Sequence, residues 1–132
     1  MEPESINVKL RELYKEYVNV LEEGDAERAI ETGVKILEEL LSITRKNVLE
    51  SLSNPFLKEL ALNILLQYER ELSFVRGAQE AVKSMPPLYA SDVTDKALET
   101  LSSSINGLFN FTVGALIVIA DVVMNIRAMV PS

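Results

Sequence analysis

The sequence contains no cysteine, no histidine and no tryptophan, and only five glycines and five prolines among 132 residues. Each absence removes a class of chemistry. Without cysteine there is no disulfide framework, thiol nucleophile, iron–sulfur cluster or thiolate zinc site. Without histidine the usual imidazole base, haem ligand and zinc ligand are missing. Ferritin-like di-iron chemistry, which needs two Glu-x-x-His pairs, goes with them. Positive charge is also short: 13 Lys and Arg stand against 20 Asp and Glu, a net charge of −7. Nucleic-acid affinity rests on clustered cations. The nearest approach to a cluster, Arg45, Lys46, Arg70 and Arg76, is neutralised by Glu38, Glu39, Glu50, Glu69 and Glu71. No nucleic-acid partner is expected.

What is present is apolar and helical. Hydrophobic residues make up 48% of the chain, which excludes disorder as its general state. The length suits a single domain spanning residues 1–132. Four segments carry apolar residues at steps of three and four, the period of one helical face. The first spans about residues 4–23, with Ile6, Leu10, Leu13, Tyr14, Tyr17, Val18 and Leu21 as its stripe and Gly24 ending it. Asp25 caps the second, about 25–52, whose stripe is Ala26, Ala29, Ile30, Val34, Leu37, Leu41, Val48 and Leu52. Asn54 as N-cap and Pro55 at the first helical position open the third, about 55–84, with Leu57, Ala61, Ile64, Tyr68, Leu72, Val75, Gln79 and Val82 facing inward. A loop is expected over Met85-Pro86-Pro87-Leu88-Tyr89-Ala90, because a proline bars its predecessor from helix. Ser91 or Asp92 then caps the fourth helix, about 92–129.

The charges divide the chain unevenly. All but Glu99, Asp121 and Arg127 lie in residues 1–96. Thr100 to Ala120 carries no charge and is about long enough to cross a bilayer, which raises a C-terminal tail anchor. Against an anchor stand the serines, threonines and asparagines within that stretch, and Asp121 at its end, costing about 3 kcal/mol at mid-bilayer. Thr100, Ser103, Gly107, Asn110 and Gly114 form a thin polar or small seam on an otherwise aliphatic helix. An apolar arc that wide exceeds what three partner helices cover, and such an excess is the usual sign of an interface between proteins. Ile105, Leu108, Phe109, Leu116, Ile119, Val123 and Ile126 are the expected interface residues, in a twofold dimer sharing this helix.

Local motifs carry little further chemistry. Gly24-Asp25-Ala26-Glu27-Arg28-Ala29-Ile30 resembles the turn and second-helix start of a tetratricopeptide repeat. The resemblance covers one unit with no second copy at that period, and a solenoid needs several, so the reading is an ordinary helical hairpin. Glu12 with Glu16, and Glu27 with Glu31, have the one-turn spacing of carboxylates that hold magnesium in all-α nucleotide pyrophosphohydrolases. Arg28, Lys35 and Lys15 lie beside them, the pattern of a solvated face with ion pairs one turn apart. Asp92 and Asp95 read as capping residues. Pro86-Pro87-Leu88-Tyr89 matches the Pro-Pro-x-Tyr peptide gripped by WW domains, but reads as a rigid connection with Leu88 and Tyr89 tucked against the bundle end. The Asn110-Phe111-Thr112 sequon lies in an apolar helix, no leader is expected ahead of it, and it carries no weight. Tyr14, Tyr17 and Tyr68 are expected to face the core.

The expectation is therefore an all-α, up-down four-helix bundle of long antiparallel helices with a strongly apolar C-terminal helix. It acts as a non-enzymatic, cytoplasmic interaction module that binds itself and takes no cofactor. The alternatives are a tail-anchored membrane protein with an acidic head and, further off, a magnesium-dependent pyrophosphohydrolase-like enzyme.

Overall fold

The computed structural model describes the backbone of residues 3–129 and the side chains of residues 8–112, positions 48, 49 and 51 excepted. Four α-helices account for most of it: α1 (Pro3–Glu23), α2 (Ala26–Ser51), α3 (Pro55–Ala81) and α4 (Pro87–Met129), with a 3-10 turn at Val82–Ser84. No strand occurs among the described residues. The chain is all-helical, as its period predicts, and its packing is that of a helical bundle.

The first two connections follow from their residues. Gly24 adopts φ 77°, the left-handed conformation that glycine takes without a Cβ clash. Its amide donates to the Leu21 carbonyl at 3.1 Å and that of Asp25 to Val20 at 3.2 Å, the two bonds of a Schellman stop. The Asp25 carboxylate accepts the Arg28 amide at 3.3 Å and so starts α2. At the next break, Asn54 Oδ1 accepts the amides of Phe56 and Leu57 at 2.9 and 3.2 Å, with Pro55 in the first turn.

The third connection differs from the expectation. α3 stops at Ala81 and α4 begins at Pro87, four or five residues before the expected cap. Each proline restricts only the residue ahead of it. Met85 is extended (φ −94°, ψ 150°) before Pro86. The Pro86 carbonyl accepts the Ala90 amide at 2.9 Å, so Pro86 serves as N-cap and Pro87 sits where a missing N–H costs nothing. The expected six-residue loop shrinks to Met85-Pro86. Ser91, Asp92 and Asp95 lie within α4 rather than at its start. Leu88 and Tyr89 are 73% and 63% exposed, so neither tucks against the bundle end, and their helical backbone differs from the polyproline II form of a WW ligand.

Contacts between helices fix their directions. Lys9 pairs with Glu39 at 2.7 Å, setting α1 antiparallel to α2. Arg45 pairs with Glu69 and Arg76 with Glu38, setting α3 antiparallel to α2. Ser104 donates to Glu71, and Gly107 lies under Tyr68, setting α4 antiparallel to α3. α4 thus runs parallel to α2, with Leu101 against Gly33 and Thr112 against Thr44.

α2 is the central element, packed against α1, α3 and α4. Its buried positions include Ala29, Ile30, Gly33, Val34, Ile36, Leu37, Leu40, Leu41 and Thr44. The single stripe read from sequence leaves out Ile36 and Leu40, which belong to a second face. A helix pressed on three sides needs an arc wider than the roughly 100° of a surface helix. Leu65, Val75, Ala97, Leu101, Ile105 and Leu108 complete the core from α3 and α4. Leu57, placed inward by spacing, is exposed, and Leu65 occupies the core instead.

Candidate functional site

The side of the bundle between α1 and α4 is open. Among the described residues the two backbones make no close approach. Tyr17 links them: its ring crosses above α2 and its hydroxyl lies 2.6 Å from Ser102 Oγ. Gly33 makes this crossing fit. A Cβ there would stand 2.9 Å from Leu101 Cγ and 3.0 Å from Tyr17 Cε2, closer than packed carbon atoms approach.

Beyond Tyr17 the helices stay apart and leave a groove of about 630 Å³. Leu10 and Tyr14 of α1 form one wall, Ile36 and Leu40 of α2 the floor, and Ile105, Asn106 and Phe109 of α4 the other wall. Among the described residues, Arg11 and Lys15 are the charged ones that line it. Both are exposed, and neither belongs to an ion pair among the described residues. Tyr14, placed core-facing by its spacing, is 47% exposed in this wall, its ring 6.4 Å from that of Tyr17. Burial pushes the Tyr17 hydroxyl above the ordinary tyrosine range, opposed by the Ser102 hydrogen bond and assisted by Tyr14. Burial, then the nearby Glu71 charge, does the same to Tyr68.

Three of the hydroxyls that dilute α4 have specific partners. Ser102 meets α1 through Tyr17, Ser104 meets α3 through Glu71, and Thr112 meets α2 through Thr44 at 2.5 Å. Thr112 also donates back to the Leu108 carbonyl at 2.8 Å, and the single Ser104 proton is shared between Glu71 and the Thr100 carbonyl, the latter also at 2.8 Å. Among the described residues no buried side-chain polar atom lacks a partner. Three hydroxyls directed at three helices fix the register of α4 in a way that aliphatic packing alone would not.

The expected interface residues fall into three groups. Ile105 and Leu108 are buried within the chain's own core. Phe109 is 55% exposed at the groove. Leu116, Ile119, Val123 and Ile126 lie outside the described side chains, as do Gly114 and Asp121. The groove brings Phe109 and Ile105 together with α1 residues that a reading confined to the last helix had missed.

The carboxylate pairs do not converge. Glu27 and Glu31 border a second hollow of about 410 Å³ at the other end of the bundle, with Glu80, Lys83 and Thr94. Among the described residues no group of three or more potential ligands could hold a metal ion. Likewise, no helix among them is long and apolar enough to cross a membrane. No family model, no curated protein and no solved structure matches the chain.

Proposed function

We propose that this chain is a non-enzymatic interaction or assembly module. In this reading it is an up-down four-helix, cytoplasmic bundle that self-associates through its C-terminal helix, most simply as a twofold dimer. The observation that carries the proposal is the length of α4. It runs for 43 residues, whereas α2 and α3, which pack against it, have 26 and 27. Along the first part of α4, Leu101, Ile105 and Leu108 are buried against those partners. In sequence, Leu116, Ile119, Val123 and Ile126 continue the same steps of three and four. An apolar stripe longer than the helices that cover it calls for cover from elsewhere. Each large aliphatic side chain removed from water contributes about 1.5–3 kcal/mol. Ile105 and Leu108 hold the stripe to its own bundle, and Phe109 and the later residues supply the contact.

The non-enzymatic reading rests on the lack of histidine and cysteine and on the pairing of carboxylates with cations such as Lys9, Arg45 and Arg76. Hydroxyls satisfied by neighbouring helices at Ser102, Ser104 and Thr112 favour a protein interior over lipid for that part of α4. The test is Leu116→Asp and Val123→Asp, each purified without detergent and weighed by light scattering. Monomer or aggregate is expected from each. A folded oligomer unchanged by both substitutions contradicts the proposal. Pelleting of the unsubstituted chain with membranes until detergent is added would replace it with the tail anchor.

A further inference from the structure

We infer that the groove between α1 and α4 binds a single long-chain carboxylic acid. Its alkyl chain lies along Leu10, Ile36, Leu40, Ile105 and Phe109, and its carboxylate between Arg11 and Lys15. The volume, about 630 Å³, falls within the roughly 300–1,000 Å³ of small-molecule sites, and the lining has the usual makeup of an apolar body with few polar groups. The charge pattern identifies the ligand. In a chain of net charge −7, both charged residues among the described lining are cations. Spaced four apart on α1, they sit one turn from each other on the same side of the helix, within reach of one carboxylate. The floor, Ile36 and Leu40, offers no side-chain donor for a sugar, a base or a row of phosphates. A ligand that satisfies both parts has one anionic end and an apolar length. Asn106 on α4 and the Tyr14 hydroxyl on α1 are the further polar groups among the described lining residues.

The groove shares Ile105 and Phe109 with the α4 stripe proposed for self-association, and the stoichiometry of binding tells the two uses apart. The experiment is calorimetric titration of the full chain with laurate below its micellar concentration, in parallel with 1-dodecanol. Both titrations are repeated on the Arg11→Gln/Lys15→Gln double variant. These two side chains are exposed, so the variant should keep its helical circular dichroism. The expected result is one laurate per chain, bound at least tenfold more weakly by the double variant, with dodecanol bound equally by both proteins. The absence of saturable laurate binding overturns the inference, as does equal laurate affinity in the two proteins. A stoichiometry of one laurate per two chains would also overturn it, marking the groove as covered by a second copy.

Discussion

α1 and α3 both flank the parallel pair α2 and α4, but they pack against it differently. On the α3 side small and flat contacts are interspersed with Leu65, Leu72 and Val75: Ala61 and Ala78 are buried on α3, Ala97 on α4, and the Tyr68 ring lies over Gly107. Backbones approach closely there and α3 packs against both helices. On the α1 side the residues facing α4 are large, with Leu10, Tyr14 and Tyr17 opposite Ile105 and Phe109. They hold α1 at a distance, and a single tyrosine spans the gap. Side-chain volume at the contact decides whether a fourth helix closes the bundle or leaves a groove. Close packing at interior density allows no third arrangement without a void or a clash.

The sharpest way to break the comparison is at the point where the open side is tied together. Leu101 is fully buried against Gly33, so Leu101→Ala should cost about 2–5 kcal/mol in denaturant unfolding. Gly33→Ala forces its new methyl into Leu101 and Tyr17, and the roughly 1–3 kcal/mol of overpacking should exceed the gain of about 1 kcal/mol in helix propensity. Placed in the Leu101→Ala background, the same Gly33→Ala change should be neutral or stabilising. Additive costs in that double-mutant cycle would show that the two residues do not share the space.

A smaller effect is expected from the hydroxyl that spans the gap. Tyr17→Phe removes one hydrogen bond to Ser102 and should cost about 0.5–1.5 kcal/mol. It should also change the response to alkali. Because burial raises the folded Tyr17 hydroxyl above its unfolded value, the folded state holds the proton where the unfolded chain releases it. Stability from this group is complete below about pH 10 and declines as pH climbs through the folded value. Unfolding free energy measured from pH 9 to 11 should therefore fall less steeply for Tyr17→Phe than for the native chain.

On the closed side the expected change is smallest and of opposite sign. A Cβ on Gly107 would meet only the Tyr68 hydroxyl within 3 Å, at 2.6 Å. Combined with Tyr68→Phe, which removes that oxygen, Gly107→Ala should stabilise by up to about 1 kcal/mol through helix propensity. Loss of stability in the double variant would mean that this side is packed more tightly than its distances indicate.

The sequence made the helices and two of their three connections legible because local chemistry decides them. Gly24, Asp25, Asn54 and Pro55 act through bonds to residues two to five positions away. The double proline was misread because the loop was carried past Pro87 to Ala90, although that proline stands where helices accept one. Which helix is central was hidden for a different reason. A stripe on one helix shows that it is covered, not by how many neighbours, so Ile36 and Leu40 passed unnoticed on α2. The α1–α4 groove was equally hidden, since it arises from volumes on three helices that only the packing brings together. Three of the hydroxyls read as dilution of an apolar segment, those of Ser102, Thr112 and Ser104, turn out to be paired with α1, α2 and α3.

The most direct test of the account is the solution mass of the full chain, purified without detergent and weighed by light scattering across a dilution series. The account predicts a species above the 14.7 kDa of one chain, with twofold that mass the simplest case. A folded species of 14.7 kDa at every concentration would contradict it.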